Sequence, residues 1–182
     1  MLNLLIVLTF IIFGYVAYRR GLAYQGVITV TFFLSVLFAA LLYRFLIPLV
    51  SLWIPYPSAS ADSKFVFFSQ TVGLDLDKSF YAGIAFALLL LIFWLAFGLF
   101  IEGFGWLRYL DLKIEKRINT LGAVLLSLIV SSGLVSLFLF LMEMIPLDGI
   151  QRIIDHAFLA KAFISSTPLW TTLYTHLFIG II

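Results

Sequence analysis

The sequence predicts an all-α integral membrane protein with four transmembrane helices and amphipathic interfacial helices in an inner loop and in the C-terminal tail. Three observations predict it. Hydrophobic residues fill 64% of 182 positions, charged residues only 11%, and mean hydropathy is +1.18; a soluble domain is about 45 to 50% apolar and about 25% charged. Four charge-free runs, 2–18, 22–43, 79–101 and 121–142, reach the length of about 20 residues that a helix needs to cross a bilayer core of about 30 Å. All 11 Lys and Arg and all 9 Asp and Glu lie outside those runs. A soluble core does not explain so complete a segregation, and we read residues 1–182 as a single membrane domain.

The first run lacks the positive flank and the small-residue cleavage site of a secretory signal, since Ala17 leads directly into Tyr18, Arg19 and Arg20. It is expected to be an uncleaved helix. Between the second and third runs, Pro48, Pro55 and Pro57 followed by Ser58, Ala59, Ser60 and Ala61 predict that helix breaks from Phe45 onward into a loop reaching Asp77. Trp53 and Tyr56 suit the headgroup level there, and a short strand or helix is expected around Phe65 to Phe68. Asp75 and Asp77 read either as a cation pair or as carboxylates favoured by the start of the next helix.

Between the third and fourth runs, Leu107, Leu110, Ile114, Ile118 and Leu121 recur at three or four residues with charges between them. This pattern predicts an amphipathic helix along the membrane surface, with a helical extension of either span as the alternative. After Pro146, the tail 148–182 starts again at Asp148, which with Gln151 has the spacing of a capping box. A further start comes at Thr167 and Pro168. The last helix carries an apolar stripe through Trp170, Leu173, Tyr174, Leu177, Phe178 and Ile181, opposite Thr171, Thr172, Thr175 and His176. Such a helix is interfacial or re-entrant rather than lipid-facing, and the expected arrangement is flat on the membrane.

Orientation follows from dense basic loops, which stay in the cytoplasm. Arg19 and Arg20 after the first run and Arg108, Lys113, Lys116 and Arg117 after the third place those turns inside and both termini outside. A formal net charge of +2 gives no reason to expect nucleic acid as a partner.

Chemistry-bearing constellations are missing from the pattern. Without cysteine there is no thiolate site, and His156 and His176 stand too far apart for a helical metal pair. No phosphate loop or nucleophile elbow occurs, so no catalytic residue, metal or cofactor is expected. The informative residues inside the spans are small: Ala123, Ser127 and Ser131 at four-residue spacing, Ser132 and Ser136 beside them, and Gly83 with Ala87. Small residues let helices approach closely in lipid. They pack helices within the chain, or form the seam of a homo-oligomer or a pore lining.

The turn Arg19-Arg20-Gly21, the exit Trp53-Ile54-Pro55-Tyr56-Pro57, the opening of the third run at Phe80 to Phe86 with Gly83, the entry Asn119-Thr120-Leu121-Gly122, and the closing Ser165-Ser166-Thr167-Pro168 together resemble the CvpA (colicin V production) family. The resemblance covers nearly the whole chain. It departs where family members carry an acidic or Asn residue followed by Arg before the Leu-Gly step, because Ile118 and Asn119 stand there, and where Leu126 replaces a glycine. The resemblance implies a multi-pass protein of the bacterial cytoplasmic membrane tied to bacteriocin production, toxin biosynthesis or envelope function, with no enzymatic activity. An accessory or scaffold for secretion is the leading expectation, with secretion or envelope proteins as partners beside the lipid bilayer; a small oligomeric channel or transporter is the alternative.

Overall fold

A bilayer offers no water to unpaired backbone groups, so an apolar chain closes its hydrogen bonds within each segment, and a helix does this. The computed structural model describes residues 1–57, 65–67, 76–105, 114–166 and 168–181, and among the described residues there is helix and no strand. In chain order these are α1 (Leu2–Arg20), α2 (Leu22–Trp53), α3 (Leu76–Gly103), α4 (Lys116–Glu143), α5 (Asp148–Asp155), α6 (Phe158–Ser166) and α7 (Pro168–Phe178), followed by a 3-10 turn at Ile179–Ile181. The first four are each long and apolar enough to cross a membrane.

Hydroxyl groups sit inside these spans because they are satisfied locally. Thr29, Ser35, Ser127 and Ser132 each donate to a carbonyl three or four residues back at 2.7 to 2.9 Å, which removes the cost of carrying them into lipid.

Several expectations need correction. Helix does not break at Pro48: α2 is 32 residues long and runs through it to Trp53, about 48 Å at 1.5 Å per residue. Proline removes one backbone donor and leaves the next turn free to close, here through Ile54 N–H to Val50 O at 3.0 Å and Ser51 Oγ to Pro48 O at 2.9 Å. The helix stops at Ile54, whose φ of −113° and ψ of 108° are the extended values that Pro55 demands of the residue before it.

The capping box is also not formed. Helix α5 has no side-chain cap, and Gln151 is buried with its amide turned toward the end of α4. Unpaired carbonyls there are more costly in an apolar setting than a bare helix start near its edge.

The amphipathic surface helix is corrected in part: residues 116–120 belong to α4, as the helical-extension alternative has it, while Leu107, Arg108, Leu110 and Lys113 lie outside the described residues. Ser58 to Ala61, Phe68, Asp75 and Thr167 lie outside them too. Asp77 stands in the first turn of α3, where the helix dipole favours a carboxylate. Residues 65–67 form neither helix nor strand.

Helix α3 runs antiparallel to α2, joined by the ring pairs Phe32–Trp94, Phe38–Phe93 and Tyr43–Phe86. Helix α4 packs along α1 and α2. Arg20, Gly103 and Lys116 therefore share one end of the bundle, called here the basic end, and Met1, Trp53, Leu76 and Glu143 share the far end.

The tail does not lie flat. Helix α6 begins at the far end, where Asn3 Oδ1 accepts the Leu159 N–H at 3.2 Å, and descends beside α1 with Phe163 stacked on Phe10 at 5.4 Å. Helix α7 then climbs back from the level of Phe32 to that of Ser79, so the pair forms a re-entrant hairpin. Its aromatic stripe gains more from close ring packing among the spans than from a shallow seat at an interface.

Candidate functional site

The residues that carry the family resemblance converge at three places. At the basic end, Gly21 links α1 to α2 with φ of 79°, a left-handed value that L side chains rarely adopt. That turn leaves the first N–H groups of α2 without partners in the helix. Asn119 of α4 supplies one, its Oδ1 accepting the Leu22 N–H at 2.7 Å. Gly122, one turn on, is the floor beneath Leu22: a Cβ there would lie 2.8 Å from Leu22 Cδ1. Asn119 caps and Gly122 admits, so the Arg-Gly turn and the Asn-Thr-Leu-Gly entry are one structural unit. Arg20 is exposed beside it, its guanidinium over the Tyr24 ring at 5.7 Å.

The second place is the middle and far half of the bundle, filled by α7. Trp170, Tyr174 and Phe178 recur every fourth residue and all are buried. Tyr174 stacks on Phe178 at 5.7 Å with the rings 3° apart, and Phe86 meets both edge-on. Gly133 lets the Trp170 ring in, since a Cβ there would meet Cζ2 at 2.8 Å, and Gly83 lies under Leu141 and Phe178, with a Cβ position 2.5 Å from Leu141 Cδ2.

Polar groups stitch the helix in place. Trp170 Nε1 donates to Ser132 Oγ and Tyr174 OH to Gly133 O, each at 2.9 Å. Tyr43 OH and Ser79 Oγ donate to the Leu177 and Phe178 carbonyls at 2.8 and 2.9 Å, which satisfies the open C-terminal end of α7. Such bonds in membranes contribute about 0.6 kcal/mol each on average, and ring pairs about 0.5 to 1.5 kcal/mol. The whole set holds α7 by several kcal/mol.

A third polar knot closes the far end. Gln151 Nε2 donates to the Glu143 and Ile145 carbonyls at 3.0 and 2.9 Å, and its Oε1 accepts the Val66 N–H at 3.1 Å. Tyr56, between Pro55 and Pro57, donates its hydroxyl to Met144 O at 2.9 Å. Burial, with the Asp77 carboxylate beside it, pushes this phenol up to about 12. Glu143 is buried in the same region, and its Oε2 has no hydrogen-bond partner among the described residues.

Ala123, Ser127 and Ser131 are all buried on α4, and the Ser131 hydroxyl bonds back to Leu128 O at 3.2 Å. Thr172, Thr175 and His176 face outward and are exposed, as is His156. Pro168 opens α7. Among the described residues no three His, Asp or Glu side chains gather into a metal-binding group. Sequence reasoning did not single out Gln25, Gly133, Glu143 or the inward turn of Gln151. Only an uncharged polar residue inside an apolar run marked the first, and nothing local marked the others.

A family model described as colicin V production protein matches residues 2–168. A protein of Bacillus subtilis (strain 168) described as uncharacterized transmembrane protein YshB is 27% identical over 168 residues, which are 92% of this chain and 92% of that one. No solved structure matches.

Proposed function

The chain belongs to the colicin V production protein family, and from that premise we propose that it serves as a membrane-embedded accessory or scaffold supporting secretion or envelope homeostasis, without catalysis of its own. One observation carries the reading. The space that a pore would need among α2, α3 and α4 is occupied by the Trp170, Tyr174 and Phe178 ladder of the chain's own tail, tied in by hydrogen bonds from Tyr43 and Ser79. A filled bundle interior suits a protein whose outer faces do the work. Those faces are apolar, with Leu41, Phe45, Leu99 and Leu125 among the exposed side chains, and in this reading they meet lipid, further copies of the chain, and secretion or envelope proteins, but not nucleic acid. The host is the bacterial cytoplasmic membrane, with the basic end inside and both termini outside, by the rule for Lys and Arg in short loops.

The channel or transporter reading keeps one supporting observation: the α6–α7 hairpin reaches only part way through, and cavities lie beyond it at the basic end. Irregular chain within a bundle suits a gated path.

Cross-linking and co-purification from native membranes, set beside ion flux in liposomes of the pure protein, separate the two. A scaffold yields a reproducible partner set and no flux, and the Thr172→Val and Thr175→Val variants keep activity. Flux that vanishes on truncation after Ile164, with the spans still folded, overturns the scaffold.

A further inference from the structure

At the basic end the spans splay. Helix α1 packs mainly on α4 and α3 mainly on α2, which leaves a cleft between α1 and α3. One cavity of about 230 Å³ in this cleft is lined by Arg20, Gln25, Ile28, Trp94 and Val130. Another of about 320 Å³ shares Arg20, Ile28 and Trp94 and adds Tyr24, Gly98 and Glu102. Thr31 and Ile101 line both this cavity and a groove of about 840 Å³ between α2 and α3, walled by Val27, Val30, Leu34, Phe97 and Phe100.

Polarity changes in order along this path. Gln25 is 3% exposed and lines the first cavity, and its side-chain amide makes no hydrogen bond among the described residues. Its polar atoms open onto that cavity, where the amide N–H can donate to a ligand's oxygen. Arg20 stands at the mouth, steadied over the Tyr24 ring, and a guanidinium matches a phosphate with paired donors. The groove beyond it opens between two spans with apolar walls, so hydrocarbon fills it.

We propose that this cleft binds one anionic phospholipid, its phosphate between Arg20 and Gln25 and one acyl chain in the α2–α3 groove. Charge selects the anionic class: Arg19, Arg20 and the stretch 102–120 together carry six Lys and Arg against three Asp and Glu. The site is independent of whether the protein is a scaffold or a channel.

Native mass spectrometry of the full chain, released from nanodiscs of phosphatidylcholine mixed with phosphatidylglycerol, tests it. Phosphatidylglycerol should be retained in preference to phosphatidylcholine, and Arg20→Gln should weaken retention about fivefold, the loss expected for one basic side chain at a lipid surface. Gly98→Leu should weaken it as well by filling the second cavity, because a Cβ at Gly98 meets nothing within 4 Å and folding is undisturbed. A photoactivatable acyl chain should cross-link to α2 near Val30 in the wild-type protein, which tests the groove without any variant. Equal retention of the two lipids, unchanged retention in both variants, or labelling spread evenly over α1 to α4 overturns the proposal. Full competition by inorganic phosphate assigns the site to a free anion and overturns it too. So does a dimer that Gly98→Leu dissociates without loss of lipid, since a second copy then fills the groove.

Discussion

The Asn119 side-chain oxygen accepts the Leu22 backbone N–H at 2.7 Å across 97 residues of sequence, so the start of one span is capped by the start of another. Asn3 does the same for Leu159 at the far end. Helix starts usually find such a cap one residue upstream, but here Gly21 and Ala157 occupy or adjoin those places and carry no side-chain acceptor. Partners in trans make the spans and the tail one cooperative unit.

Asn119→Ala should therefore destabilise the protein by about 1 to 2 kcal/mol, the range for a lost cap. Gly21→Ala should cost a similar roughly 1 to 2 kcal/mol through the left-handed backbone. Both are read as lowered thermal midpoints in detergent. An unchanged midpoint for Asn119→Ala would mean that water reaches Leu22.

Glycines separate by what surrounds them. Gly133→Ala pushes a methyl to 2.8 Å from the Trp170 ring and should cost about 1 to 3 kcal/mol, as overpacking does. Ser127→Leu and Ser131→Leu belong to the same class, because both serines are buried. Gly26→Ala meets nothing within 4 Å and should be neutral or stabilising by up to about 1 kcal/mol, since alanine favours helix. Equal midpoints for Gly133→Ala and Gly26→Ala would show that Trp170 yields freely.

Glu143→Met should raise stability by about 1 to 3 kcal/mol. A buried carboxyl oxygen without a partner is costly, and an apolar side chain of similar volume removes the cost. Destabilisation instead would reveal a polar partner for this residue in the membrane.

The Tyr56 hydroxyl, raised to about 12 by burial and by Asp77, favours the neutral phenol in the folded protein above its ordinary value of about 10. Its contribution is whole below about pH 10 and is lost as pH climbs from about 10 to 12. The wild type should lose stability through that window more steeply than Tyr56→Phe. At pH 7 the variant should be weaker by about 1 kcal/mol, one hydrogen bond to Met144 O. Parallel pH curves for the two proteins would remove the tyrosine from the far-end knot.

Topology is tested by labelling single introduced cysteines in intact cells. With the basic end in the cytoplasm, Ser60→Cys should react with an impermeant maleimide and Ile114→Cys should not. The reverse pattern overturns the orientation.

Length and apolarity were enough to locate the spans, because transfer of a helix into lipid depends on each segment's own side chains and on backbone bonds that close within it. The four runs without charge became α1 to α4, longer at several ends, and family membership was legible from short motifs spread along the chain. Where each helix end finds its missing partners was not legible. Whether Trp170 lies on a membrane or inside the bundle depends on Gly133 and Ser132 in another helix, and Gln151 abandons a local cap for carbonyls at the end of α4. In lipid an open helix end or a buried polar side chain has no water to turn to. Its partner is then chosen by which helices meet, and only the folded bundle decides that.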